Sequence, residues 1–75
     1  MKNEKLALFG KRLKELRMAA KRTQDEMGEL LHCTKSNYQK MEYGNINAPI
    51  TTLMTLADYF GVSTDYLLGR KDERQ

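Results

Sequence analysis

The sequence predicts an all-α fold: a compact bundle of five short helices, the second and third forming a helix-turn-helix. Three observations predict it. Apolar residues recur at three- and four-residue steps along most of the chain, and no stretch reads as a strand. Helix-start side chains stand at Thr23, Thr34 and Ser63, and glycines stand at Gly44, Gly61 and Gly69 where helices would stop. The starts at Thr23 and Thr34 are eleven residues apart. That leaves no room for a long loop between two helices, which must therefore cross steeply.

The first helix is expected over Glu4–Ala20. Leu6, Phe9, Leu13, Leu16 and Ala20 follow at steps of 3, 4, 3 and 4, a continuous stripe on one face. Lys11, Arg12, Lys14 and Lys21 fall off that stripe, and Lys21 and Arg22 suit the negative end of the helix dipole. Gly10 weakens the pattern by up to about 1 kcal/mol relative to Ala, and close packing is the only reason the residues offer for it.

The second helix opens on Thr23-Gln24-Asp25-Glu26, a capping box in which Thr23 and Glu26 satisfy each other's backbone N–H. Met27, Leu30 and Leu31 give it one apolar face. Gly28 is either a close-approach point for the next helix or a tolerated poor helix former. Only His32 and Cys33 separate this helix from the next cap, Thr34. In the third helix Tyr38 and Met41 face inward and Gly44 ends it. Lys35, Ser36, Gln39, Lys40 and Tyr43 then face outward, a surface with two cations and no carboxylate.

Gly44 to Pro49 reads as a loop, with Pro49 in the first turn of a fourth helix. Ile50, Leu53, Ala57 and Phe60 form that helix's inward stripe, Leu56 lies beside it, and Gly61 stops it. Ser63 caps a last helix, Thr64 to Leu68, followed by Gly69. Arg70 to Gln75 is expected to be a charged, frayed tail.

Seventy-five residues make one domain, with a folded core over about residues 4–69. So small a core favours dimerisation or a very local topology. Lone Cys33 rules out an intrachain disulfide and fits a reducing, cytoplasmic setting. No apolar run could span a membrane, and Lys2 and Lys5 precede no apolar segment, so no signal peptide is expected. Residues 1–22 carry eight Lys/Arg against two Glu, whereas residues 23–34 carry three acids and no Lys or Arg. This places the basic excess on the first helix and its exit, where it could flank a polyanion.

Catalysis finds no support. His32 is the single histidine and reads as a turn residue in the left-handed region rather than a ligand or base. Cys33 has no CxxC partner for zinc and reads as a small buried hydrophobe. No paired carboxylates and no phosphate-cradling glycine loop are present, so neither an enzyme nor a cofactor is expected.

The outward face of the third helix offers the donors and acceptors that read base edges in a major groove, and the tight turn before it makes it a recognition helix over about Thr34–Tyr43. The order LFGKRLKELR, TQDEMGELL, TKSNYQKMEYG and TLMTLADYFGVSTDYLLGR resembles the phage-repressor (Cro/cI-like, also XRE-like) helix-turn-helix family, whose fold is that of the lambda-repressor-like DNA-binding domains. The resemblance runs from Leu8 to Arg70. It implies base contacts by Lys35, Ser36 and Lys40 with Gln39 close by. It also implies backbone contacts by Thr23, Gln24, Tyr43, Gly44 and Asn45, and a largely buried ion pair between Arg17 and Glu42. The chain departs from the family where Gly often stands (Lys21, His32), where an aliphatic residue often stands (Arg22, Cys33) and where Ala is usual (Gly28). Its Asn45–Ala48 loop lacks the usual Lys or Arg, so Arg22 or the first-helix lysines would have to supply that charge.

The expected function is that of a sequence-specific transcriptional regulator of double-stranded DNA, a repressor by preference. A single short helix reads only a few base pairs. A homodimer on a palindromic operator would place two such helices about 34 Å apart. Val62, Tyr66, Leu67 and Leu68 are the candidate dimer surface, although for Leu67 the chain's own core is the simpler place. An antitoxin and a restriction-modification controller use the same fold and stay open, as does an interaction module without DNA binding. An antirepressor or a toxin protein is a further partner class.

Overall fold

A computed structural model describes residues 4–75; Lys2 lies outside them. Helices are founded where side-chain oxygens replace missing backbone acceptors. Thr23 Oγ1 accepts from the Glu26 N–H at 3.1 Å, and Glu26 Oε1 accepts from the Thr23 N–H at 2.8 Å. This closed capping box holds the Glu26 carboxyl below its usual range, chiefly through the Thr23 backbone N–H. Thr34 Oγ1 accepts from the Asn37 N–H, and Ser63 Oγ from that of Tyr66. Five helices result among the described residues: α1 (Glu4–Ala19), α2 (Gln24–Leu30), α3 (Lys35–Glu42), α4 (Ile50–Phe60) and α5 (Thr64–Leu67).

Their inward faces meet in one core of Phe9, Leu13 and Leu16 from α1, Met27 from α2, Tyr38 and Met41 from α3, Leu56 and Ala57 from α4, then Val62, Tyr66 and Leu67. Full burial of a side chain such as Leu13, Leu56 or Leu67 contributes about 1.5–3 kcal/mol each. α3 packs against both α1 and α2, while α5 packs against α1 and α4.

Two glycines inside helices mark the closest approaches to α3 and its turn. A Cβ on Gly10 would overlap the Glu42 carbonyl oxygen and lie 2.7 Å from the Met41 oxygen. The α1–α3 contact is therefore backbone on backbone, and close packing is the reason for Gly10. A Cβ on Gly28 would sit 3.0 Å from the Cys33 oxygen. This favours the close-approach reading, with the turn before α3, rather than α3 itself, as the neighbour. Gly44 and Gly61 end α3 and α4 with φ of 74° and 66°, left-handed values that favour glycine. Lys21 and His32 hold φ of 59° and 56° without being glycine. The left-handed turn expected at His32 is thus present, and both sites are ones where the resembling family often has Gly.

Several expectations are corrected. Ala20 lies past the end of α1 and is exposed, so the apolar stripe stops at Leu16. Ile50 is 76 % exposed, because the inward register of α4 is Leu53, Leu56, Ala57 and Phe60. Pro49 is the residue before the first turn of α4, not within it. Cys33 is half-buried rather than buried. Val62, Tyr66 and Leu67 are buried in this chain's own core; of the four candidates for a dimer surface only Leu68 is exposed. α5 is only four residues long, and its apolar side chains are needed to close the bundle over α1.

The tail is the largest correction. Arg12 Nη1 donates to the Tyr66 and Lys71 carbonyls and Nη2 to Asp72 Oδ1, with the guanidinium 4.2 Å from the Tyr66 ring centroid. The Ser63 N–H donates to the Arg74 carbonyl at 2.6 Å, and Gln75 Nε2 to that of Gly61. Residues 71–75 therefore fold back on α1 and the α4–α5 turn instead of fraying. Arg12 is committed to this contact and is withdrawn from the basic face of α1.

Candidate nucleic-acid interface

α3 carries two chemistries on opposite sides, and its register divides them. Tyr38, Met41 and Glu42 are buried, while Lys35, Ser36, Asn37 and Lys40 are exposed. The cap at Thr34 and the left-handed residue at His32 fix where α3 begins and how steeply it leaves α2. The contact of Gly10 with the α3 C-terminus fixes its other end.

The buried side is anchored by an ion pair. Arg17 Nε lies 2.6 Å from Glu42 Oε2 and its Nη2 3.3 Å from Oε1, a two-pronged geometry that guanidinium and carboxylate planes match well. The Glu42 side chain is 1 % exposed and that of Arg17 13 %. Burial alone would raise the Glu42 carboxyl, but the Arg17 hydrogen bond and charge, together with Tyr38 and Gln24, outweigh it and hold the group below its usual range. The Glu42 hydrogen bond in turn raises the Arg17 guanidinium. Arg17 Nη1 also donates to the Arg22 carbonyl at 2.9 Å, fixing the exit from α1. The Tyr38 hydroxyl is close enough to feel this pair but makes no hydrogen bond of ordinary geometry. Burial drives its ionisation far above the usual tyrosine value.

From this anchor the polar contacts run outward. Gln24 Nε2 donates to Glu42 Oε1 at 3.1 Å, and Gln24 Oε1 accepts from Gln39 Nε2 at 2.8 Å. Both amides are half-buried. The start of α2, the end of α3 and the middle of α3 are thus tied through one carboxylate.

Of the residues expected to meet DNA, Lys35, Ser36 and Lys40 are exposed together on the outer side of α3, with Gln39 at its edge. Thr23 is exposed but uses its hydroxyl for the cap, and Gln24 is taken up by Glu42 and Gln39. Tyr43, 53 % exposed, and Asn45 flank Gly44, which is buried where the loop passes Ala7 of α1. Sequence reasoning misses Asn37, yet it is exposed beside Ser36 and its side-chain amide makes no hydrogen bond within the described residues. A signal for it exists: one residue before inward Tyr38 and three after the Thr34 cap is an outward position. Arg22, by contrast, makes a 3.4 Å surface pair with Glu26, of a kind that contributes little.

No carboxylate stands in α3 except Glu42, which is buried and neutralised by Arg17. The exposed side is therefore uniformly cationic or neutral. The buried Arg17–Glu42 pair lies on the opposite side of the helix. Among the described residues no three His, Cys, Asp or Glu side chains are placed to hold a metal ion, and no helix is long and apolar enough to cross a membrane.

Residues 8–68 match the family described as "Helix-turn-helix domain". The chain is 45% identical over 65 residues to the HTH-type transcriptional regulator ImmR of Bacillus subtilis, covering 87% of this chain and 50% of that protein. It is 39% identical over 61 residues to the SPbeta prophage-derived HTH-type transcriptional regulator YonR of the same organism, covering 81% and 56%. The chain thus spans about half the length of these curated relatives. Among solved structures it is similar to the restriction-modification controller protein C.AhdI from Aeromonas hydrophila, with a TM-score of 0.76 at 28% identity, covering 87% of this chain and 98% of that one. The fold is also that of the SOS-response transcriptional repressor LexA from Eubacterium rectale, with a TM-score of 0.82 at 20% identity, covering 91% and 72%.

Proposed function

The chain belongs to the helix-turn-helix domain family, and on that premise we propose that it is a sequence-specific double-stranded DNA-binding transcriptional regulator that acts as a homodimeric repressor, with α3 in the major groove. The observation that carries this reading is the division of α3: a carboxylate-free outer side of Lys35, Ser36, Asn37 and Lys40 above a side locked by the Arg17–Glu42 pair. Lys35, Ser36 and Lys40 take base edges, where lysine donates to guanine and hydroxyls pair with either kind of base. Thr23, Tyr43, Gly44 and Asn45 lie on the flanking phosphates, and Gln24 keeps one N–H free for the backbone beyond the one given to Glu42.

The dimer reading rests on the short span of α3, with Leu68 the one interface candidate that is exposed. Regulation by repression, on a palindrome with half-sites about 34 Å apart, fits the similarity to a prophage-derived regulator. A restriction-modification controller is the second reading, favoured by the likeness to C.AhdI over nearly that chain's whole length.

A mobility-shift assay on genomic fragments at low and moderate salt tests the proposal. The expected result is affinity that falls steeply with salt while the preference for particular fragments is retained. Weak binding that is equal on all fragments and vanishes at moderate salt overturns it.

A further inference from the structure

Away from the outer side of α3, the fold holds a cavity that joins an apolar wall to a charged mouth. It measures about 240 Å³ and lies between the first turns of α1, the loop before α4 and the exit from α5. Leu6, Phe9, Ala48, Leu53 and Leu68 form its apolar wall. Phe9 is buried, Leu6, Ala48 and Leu53 are half-buried, and Leu68 is exposed. Lys5, Asn47 and Arg70 are its polar lining. Lys5, Leu68 and Arg70 also border the neighbouring depression, whereas Phe9, Asn47, Ala48 and Leu53 line this cavity alone. The two cations therefore stand together at one end, with most of the apolar wall beyond them. Glu4 borders the neighbouring depression, so Lys5 and Arg70 outnumber the carboxylate by one charge. The Arg70 backbone N–H is given to the Asp65 carbonyl, but its guanidinium makes no hydrogen bond or ion pair within the described residues.

We propose that this cavity is an effector site for a medium-chain carboxylate, with the head on Arg70 and Lys5 and the tail against Phe9, Leu53 and Leu68, and that its occupation weakens DNA binding. A guanidinium meets a carboxylate with two parallel N–H donors. The single excess positive charge at the mouth matches a monoanion, and covering the apolar wall removes it from water. The volume is below the range of about 300–1,000 Å³ typical of drug-sized ligands, which fits one short chain. A neutral chain would leave Arg70 unanswered, and an anion without a chain would leave the wall uncovered. Two routes couple the site to DNA, and both have the same sign. Asn47 and Ala48 follow closely on Asn45, a proposed phosphate contact, so neutralising Lys5 and Arg70 lowers the positive potential beside the backbone. Leu68 is the exposed candidate for contact between copies, and a ligand lying on it takes up surface that a second copy would cover. This coupling, unlike the site itself, rests on the reading of the chain as a DNA-binding homodimer.

The test titrates octanoate, octanol and acetate separately into the isotope-labelled full chain, followed by backbone amide chemical shifts. It is repeated on Arg70→Gln, an exposed position, with folding checked by circular dichroism. Octanoate is expected to saturate with a Kd below about 1 mM, with the shifts concentrated at Leu6, Ala48, Leu53 and Leu68. Octanol and acetate should each bind at least about tenfold more weakly, and Arg70→Gln should weaken octanoate about tenfold while leaving octanol unchanged. In a mobility-shift assay at constant ionic strength, saturating octanoate should weaken binding to a preferred fragment about fivefold or more. No saturation by octanoate below about 10 mM overturns the site. So does octanol binding as tightly as octanoate, or an octanoate affinity unchanged in Arg70→Gln. Saturation that leaves DNA affinity unchanged overturns the effector role. If the ligand-free chain binds no fragment, the reading of the chain as a DNA-binding regulator fails, and the effector role with it; the titration still decides the site.

Discussion

The two sides of α3 differ in what their side chains can be asked to do. On the inner side, Tyr38 is fully buried, Met41 and Glu42 nearly so, and the only charge is matched prong for prong by Arg17. On the outer side, Lys35, Ser36, Asn37 and Lys40 make no side-chain contacts that the fold needs. The lesson is a separation of labour within eight residues: the inner side sets stability and position, and the outer side is left free for recognition. Substitutions can break or sharpen that contrast, and the inner ones should dominate the stability changes.

Removing the buried carboxylate should have the largest effect. Glu42→Ala leaves Arg17 unpaired at a largely buried site and the Gln24 amide without its acceptor, and should cost about 3–5 kcal/mol in urea unfolding. The pH dependence comes from the same group. Because its carboxyl is held below the usual range in the folded chain, the stability it contributes is complete above the unfolded glutamate value of about 4.3 and is lost as pH falls through the lower folded value. Unfolding curves taken below about pH 4.3 should fall more steeply for the wild type than for Glu42→Gln.

Next in size is the backbone contact at the other end of the same anchor. Gly10→Ala must push the Glu42 and Met41 carbonyls away from α1, and should destabilise by about 3 kcal/mol in the same assay. A cost below about 1 kcal/mol would mean that α1 and α3 can separate cheaply, which the close contact does not allow.

Tyr38→Phe should have the smallest effect among the inner substitutions. Its hydroxyl is buried beside the Arg17–Glu42 pair without a hydrogen bond of ordinary geometry, so deleting it should shift stability by no more than about 1 kcal/mol in either direction. A loss beyond about 1 kcal/mol would show that the hydroxyl supports Glu42 after all.

Much of this anatomy is legible in the residues. Thr23 and Glu26 define a capping box three residues apart, and the short Thr23–Thr34 spacing leaves no alternative to a steep crossing. Arg17 and Glu42 can be paired only through the family resemblance, because nothing within 25 residues of chain links them. What escapes sequence reading depends on contacts distant along the chain. Arg12 looks like one more cation on a basic helix until the tail, some sixty residues away, comes back to meet it. Ile50 fits the apolar period of α4 as well as Leu53 does, but it stands at the end of the helix, beyond the reach of the core. Val62 and Tyr66 read as uncovered apolar residues because α5 is too short to show from sequence which way it faces. Gln24 shows only its outward prospects in the sequence, since the carboxylate that claims one of its hydrogens lies eighteen residues on.

The outer side of α3 is tested most directly by Lys40→Ala, measured for unfolding and for affinity on a selected site and on a scrambled duplex of equal length. Stability should stay within about 0.5 kcal/mol of the wild type. Binding to the selected site should weaken by about 1–3 kcal/mol, with discrimination relaxed at one base pair and the scrambled duplex affected much less. Equal losses on both duplexes would make Lys40 a phosphate contact, and unchanged affinity on both would contradict the placement of this side of α3 in the groove.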